Sequence, residues 1–176
     1  MQSQLITLIL FGIAAGFSPG PNNIVTSYSS FNFGFKKTIP TMLGVISGWT
    51  LLVIFLQMSS GIAFQKFEEL QIIIKLLGSV YLIYMAYKLA TSKLIAGKQS
   101  SKPVTFLNTF FFQFVNPKSI IAGLVAISMF IDVQNNYLRD SITLTIVMFF
   151  VAIGSQLSWC LMGKYLRKFA TSKKFI

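Results

Sequence analysis

Histidine is absent from this chain of 176 residues, cysteine occurs once, and Asp and Glu together number four. Those scarcities remove most site chemistry. No His and a single thiol leave no ligand set for a zinc or iron site, and nothing calls for a cofactor. No Asp, Glu or His falls inside an apolar run, so an enzyme buried in the membrane would lack both base and acid. Cys160 has no partner for an intrachain disulfide and reads as a small buried hydrophobe in the last apolar run. Charge is also scarce, at 11% of residues against roughly 25% in a soluble domain. Residues 1–35 contain no Lys or Arg, so the basic start of a secretory signal is missing and the segment reads as retained.

What is present is apolar: 54% of residues, 18 of them Phe. Five runs are separable by their charged gaps, about Leu5–Phe31, Ile39–Phe64, Leu70–Tyr87, Thr105–Ile131 and Ser141–Met162. Each reaches the roughly 17–25 residues a spanning helix needs. The expected fold is all-α, a polytopic membrane helix bundle of five transmembrane helices in one domain over residues 1–176. The net charge of +11 sits between the runs rather than along one soluble face, which argues for membrane anchoring and against nucleic acid. Lys36 and Lys37, then Lys88, Lys93, Lys98 and Lys102, then Lys164, Arg167, Lys168, Lys173 and Lys174 occupy alternate gaps and the C-terminal end. All four acids, Glu68, Glu69, Asp132 and Asp140, lie in the other gaps with Lys66 and Arg139, and Lys75 falls on the same side, near the start of the third run. By the positive-inside rule the N-terminus is outside and the C-terminus cytoplasmic. Tyr81, Tyr84 and Tyr87 read as interface anchors, and 91–103 as a flexible cytoplasmic loop.

Two runs carry breaks. The first contains Ser18-Pro19-Gly20-Pro21-Asn22-Asn23, the fourth Gln113-Phe114-Val115-Asn116-Pro117-Lys118. Proline deletes a backbone donor and frees a carbonyl, and hydrocarbon tolerates such groups only where protein buries them or a cavity is lined by them. As one straight helix, residues 1–35 would reach about 52 Å against a hydrocarbon core of about 30 Å. Two half-helices meeting at Pro19-Gly20-Pro21 remove that mismatch. The second would begin near Asn22, offering a positive dipole end to a carboxylate. Three spans separate the starts of the two broken segments, so the second copy is inverted. The expectation is an incomplete inverted repeat of three plus two, with helices 1 and 4 broken, repeat one at about 1–90 and partial repeat two at about 104–176. Gly12, Gly16 and Gly20, then Gly44 and Gly48, recur four apart and permit close helix approach.

The motif Phe17-Ser18-Pro19-Gly20-Pro21-Asn22-Asn23, followed by Gly34, Gly44 and Gly48, resembles the LysE/RhtB family of amino-acid exporters. Phe112 to Lys118 is similar to that family's second signature, and Gly154, Trp159, Gly163 and Leu166 resemble its cysteine/O-acetylserine exporter branch. The resemblance implies a multi-pass permease of the inner membrane that moves neutral amino acids or close derivatives outward. It also implies a proton gradient as driving force and six helices in two sets of three, one more than are legible here. The alternative is a truncated, transport-impaired carrier remnant, or a subunit of an assembly such as a homo-oligomer.

Lys118 is the sharpest candidate, centred in the fourth run with thirteen residues on either side. A lysine at that depth costs on the order of 2.5–3.5 kcal/mol. A substrate carboxylate is one partner for it, and the carbonyls freed by Pro117 are another. Asn22, Asn23, Gln113 and Asn116 are equally suited to hold substrate or to cap broken helix ends. Thr26 lies one turn beyond Asn22. With Pro19, Gly20, Pro21 and Pro117 at the breaks and Ser155 and Trp159 in the fifth run, these residues form the expected binding set for a small amino-acid substrate. Gln156 and Ser158 read as glue between helices.

Overall fold

In the computed structural model, residues 2–66 and 103–170 are described, with Glu69, Ile72, Ile73, Leu76, Leu77 and Val80 between them. Six helices are described end to end: α1 Gln2–Phe17, α2 Pro21–Phe33, α3 Phe35–Lys66, α4 Phe106–Phe112, α5 Pro117–Phe130 and α6 Tyr137–Ala170. Of these, α3 and α6 are each long and apolar enough to cross a membrane. The pairs α1–α2 and α4–α5 reach that length only when each is taken as one span, bent by 56° and 54° respectively. The described residues therefore hold up to four crossings. The fifth in the expected count, Leu70–Tyr87, lies largely outside the described residues, as do Tyr81, Tyr84, Tyr87 and most of the 91–103 loop.

Both bends follow from local chemistry. A residue preceding proline is pushed out of the α region, and Gly20, before Pro21, is fully extended at φ −171°, ψ 172°. Pro21 and Pro117 then open α2 and α5 in the first turn, where a missing N–H goes unnoticed. Asn116 stands before Pro117 at φ −81°, ψ 109° and caps α5, its side-chain oxygen accepting from the Lys118 N–H at 3.1 Å. Gly34 ends α2 at φ 83°, a backbone conformation that a β-carbon would strain.

Contacts define the direction of each pass. At one end, the Arg167 guanidinium lies 3.9 Å from where a β-carbon on Gly34 would sit. Near the same end Thr41 Oγ1 donates to the Val104 carbonyl just before α4 at 2.6 Å. At the other end, Tyr137 Oη donates to the Gln57 carbonyl at 2.6 Å, and Gln4 shares a surface hollow with Asp132 and Asp140. The pair α1–α2 thus runs from the Asp132 end to the Gly34 end and α3 returns. The pair α4–α5 runs the opposite way, and α6 returns. At the Asp132 end the turn between α5 and α6 is closed by the Asp132 carboxylate, which accepts from the Asn135 side chain and from the Asn135 and Gln134 N–H groups. Those donors, the Asn135 side chain foremost, hold its carboxyl below the usual range.

Burial is inverted relative to a soluble protein. Leu10, Phe55, Met58, Val115, Phe150 and Phe169 face outward, while Thr26, Ser29, Thr38, Thr41 and Gln113 are fully buried. An apolar outside with polar groups satisfied within is the arrangement lipid requires. An apolar cluster of Leu8, Leu52, Val53, Ile127, Leu144 and Met148 ties α1, α3, α5 and α6 together.

The glycines set the helix spacing. A β-carbon on Gly44 would collide with Thr109 Oγ1 and the Phe106 carbonyl, and one on Gly48 would sit 2.5 Å from the Phe110 carbonyl, so both let α3 lie against α4. Gly12 and Gly16 pack on Val151 of α6. By contrast, a β-carbon on Gly154 would meet only Phe17 Cζ at 3.6 Å. Gly48→Ala is accordingly expected to destabilise the bundle by about 1–3 kcal/mol through overpacking against rigid backbone, and Gly154→Ala to be close to neutral. Thermal unfolding of both variants in detergent measures the difference.

Candidate functional site

Each carbonyl freed at the first break has a replacement donor. Pro19 lacks the N–H that would reach the Ala15 carbonyl, and Ser18 Oγ donates there instead at 2.9 Å. Pro21 lacks the N–H for Phe17, and Trp159 Nε1 takes that carbonyl at 3.2 Å. Extended Gly20 leaves the Gly16 carbonyl, which accepts from Asn23 Nδ2 at 2.8 Å and Ser155 Oγ at 2.7 Å. The Ser18 carbonyl accepts from Asn23 Nδ2 at 2.9 Å. Asn23 Oδ1 in turn accepts from Gln156 Nε2 at 2.8 Å, and Thr26 Oγ1 donates to Gln156 Oε1 at 2.6 Å. Thr26, Asn23 and Ser155 are all buried. Two side chains of α6, Ser155 and Trp159, therefore hold the broken end of α1, and a third, Gln156, holds the start of α2.

The second break is handled in the same way. Between α4 and α5 the chain tightens, with the N–H groups of Gln113, Phe114 and Val115 each reaching three residues back. That leaves the Thr109 carbonyl, which Gln113 Nε2 fills at 2.9 Å. The same buried amide forms a reciprocal pair with Asn22, donating to Oδ1 at 2.9 Å and accepting from Nδ2 at 2.8 Å. Ser119 Oγ adds a further bond to Gln113 Oε1 at 3.0 Å.

Lys118 joins the two breaks directly. Its ammonium donates to the Ser18 carbonyl at 2.9 Å, to Ser18 Oγ at 2.7 Å and to the Pro19 carbonyl at 3.4 Å. Its carbonyl partners are thus those freed at the opposite break, not the one freed by Pro117. The lysine passes close over Gly20, where a β-carbon would lie 2.8 Å from Nζ and 2.9 Å from Cδ and would make the side chain shift.

Between the breaks lies a cavity of about 80 Å³, large enough for several waters. Of the expected binding set, Gly20, Pro21, Asn22, Asn23, Asn116, Lys118 and Ser155 line it. Thr26 and Gln113 stand one hydrogen bond behind, holding Gln156 and Asn22, and Trp159 holds the Phe17 carbonyl, which does not line the cavity. Pro19 contributes its carbonyl to Lys118, and Pro117 opens α5. Ser158 bonds its own helix at Gly154 and takes no part. Among the lining residues outside the expected set, Trp49, Ser119 and Gln156 are those with a polar side-chain group. An uncharged amide inside the Ser141–Met162 run was the available signal for Gln156. Trp49 and Ser119 carried none, since only packing turns them toward the cavity. The opposite wall is apolar, with Phe11, Met148 and Val151, and Lys118 is the one charged residue among those lining the cavity.

Breaking the amide pair strands a buried group. Gln113→Leu is expected to cost about 1–3 kcal/mol, and adding Asn22→Leu to cost little more, since its partner is already gone. A double-mutant cycle by thermal unfolding reads that coupling, and strictly additive losses would show that the pair is not coupled.

The chain can now be set beside known proteins. Residues 5–172 match the family of LysE type translocators. Proteins named cysteine/O-acetylserine efflux protein from Salmonella paratyphi A and Salmonella typhi are 32% identical over 156 residues, covering 87% of this chain and 78% of theirs. The protein of that name from Escherichia coli K12 is 27% identical over the same shares. No solved structure matches. With a family match that spans nearly all of its length and both signature breaks converging on one cavity, this chain belongs to the LysE type translocators, multi-pass membrane carriers rather than enzymes.

Proposed function

We propose that this protein exports amino acids or close derivatives across the inner membrane, and that the cavity between the two helix breaks is where cargo sits. The observation that carries this reading is the Lys118 ammonium, planted at the centre of its run and held at the cavity by carbonyls of the other broken pair. A charge at that depth is functional by default. A single positive charge beside an otherwise neutral cavity suits the carboxylate of a zwitterion. It also opposes a basic side chain, and the apolar wall of Phe11, Met148 and Val151 suits a small neutral one. The names of the relatives, which are efflux proteins for cysteine and O-acetylserine, point to the same class.

Transport proceeds by alternating access. Residues 1–90 and 104–176 act as two opposed repeats of a single domain, the bent pair and following long helix of one rocking against those of the other. The opposite directions of α1–α2 and α4–α5 support this arrangement. In the present state the Lys118 ammonium ties the repeats together through Ser18 and Pro19. A cargo carboxylate competes for that ammonium and, on taking it, releases one broken helix from the other. The end bearing Lys36, Lys37, Arg167 and Lys168 is cytoplasmic and the N-terminus outside, as the positive-inside rule directs.

Efflux of labelled L-cysteine and O-acetyl-L-serine from proteoliposomes tests the proposal. The parent chain is expected to move both, and Lys118→Met to reduce the rate by about tenfold or more, the loss of a charge-assisted hydrogen bond. Equal efflux from the two proteins, each confirmed as inserted, would remove Lys118 from the mechanism, and no efflux by the parent would overturn the export reading.

A further inference from the structure

One donor on a residue that lines the cavity has no acceptor. Asn116 is 1% exposed, lines the cavity, and its Nδ2 is buried without a hydrogen-bond partner. The other end of the same amide is committed: Oδ1 accepts from the Lys118 N–H at 3.1 Å as the N-cap of α5. Turning the amide over would set N–H against N–H and uncap the helix, so the cap itself holds Nδ2 in its unpaired orientation. A buried donor left unmade carries the full desolvation cost of its group. Every other broken-helix amide, Asn22, Asn23 and Gln113, has its NH₂ paired within the protein.

From this we infer that Asn116 is a specificity-determining residue whose Nδ2 donates to the carboxylate of the cargo. The N-terminal end of α5, fourteen residues long, puts its positive dipole end at the same place. Lys118 lies two residues on, and its side chain lines the same cavity. A carboxylate has acceptor sites enough for the amide and the ammonium together. The inference deepens the export reading and rests on it for the identity of the cargo: an α-amino acid enters with its carboxylate toward α5 and its side chain toward Phe11, Met148 and Val151. The corresponding amine, lacking the carboxylate, leaves Asn116 unpaired and is rejected.

Asn116→Asp separates recognition from structure. The aspartate retains a capping oxygen for α5 while replacing the donor with an anionic acceptor. Binding to the purified full chain in detergent is measured with reduced L-cysteine, with cysteamine (the same molecule without its carboxylate) and with propionate. The parent is expected to bind L-cysteine about tenfold or more tightly than cysteamine, and N116D to lose at least about tenfold in L-cysteine affinity while its ligand-free melting temperature stays within a few degrees. The comparison between L-cysteine and cysteamine needs no variant and stands even if N116D fails to fold. Equal binding of the two by the parent, or unchanged L-cysteine binding by N116D, overturns the site. L-cysteine efflux that N116D leaves intact overturns the site alone. Absence of efflux alongside Asn116-dependent binding of L-cysteine and propionate overturns the export reading alone.

Discussion

A peptide group in hydrocarbon has no water to turn to, so each N–H and C=O must find its partner inside the protein. Ordinary helices meet that demand within themselves. Where Pro19, Pro21 and Pro117 interrupt the ladder, the orphaned carbonyls must be met by side chains, and the bundle is organised around meeting them. Ser18, Asn23, Ser155, Trp159 and Lys118 converge on the end of α1 for that reason. The polar interior of the protein is built from these replacement donors, and the cavity lies where they meet.

The same demand couples structure to transport. The donors that satisfy the first break come from α2 itself, from α6 and from the start of α5, so the break is also a junction between the two halves of the chain. Two of the links across it are exchangeable in kind: an ammonium bound to carbonyls, and an amide bound to an amide. Cargo carrying a carboxylate offers the ammonium a charged acceptor in place of a neutral one. In the transport cycle proposed above, exchange of that kind would let a small solute alter the fit of two helix bundles without any covalent step. Glycine makes the close packing possible, at Gly44 and Gly48 for the approach of α3 to α4.

Much of this was legible from the chain alone. The apolar runs, the two proline breaks and the opposed direction of the broken pairs all follow from residue order, because each depends on a local rule about proline, charge spacing or span length. The lining of the cavity was legible in part. Asn22, Asn23, Asn116 and Lys118 announce themselves as polar groups at a break in an apolar run, and the cavity receives all four. Trp49 and Ser119 do not, since a tryptophan and a serine in a helix look alike whether they face lipid, a neighbour or a cavity.

Residue order by itself determined that the chain lives in a membrane, that two of its spans are broken, and that a lysine sits at the depth of the breaks. Only the tertiary structure decided where that lysine goes, which amide pairs with which, and which one remains unpaired. Lys118 and Ser18 are a hundred positions apart. Their meeting depends on how closely glycine-lined helices pack, a distance that no local pattern encodes. Capping is local, so the role of Asn116 Oδ1 could be anticipated; the burial of its Nδ2 without a partner exists only once the helices pack around it.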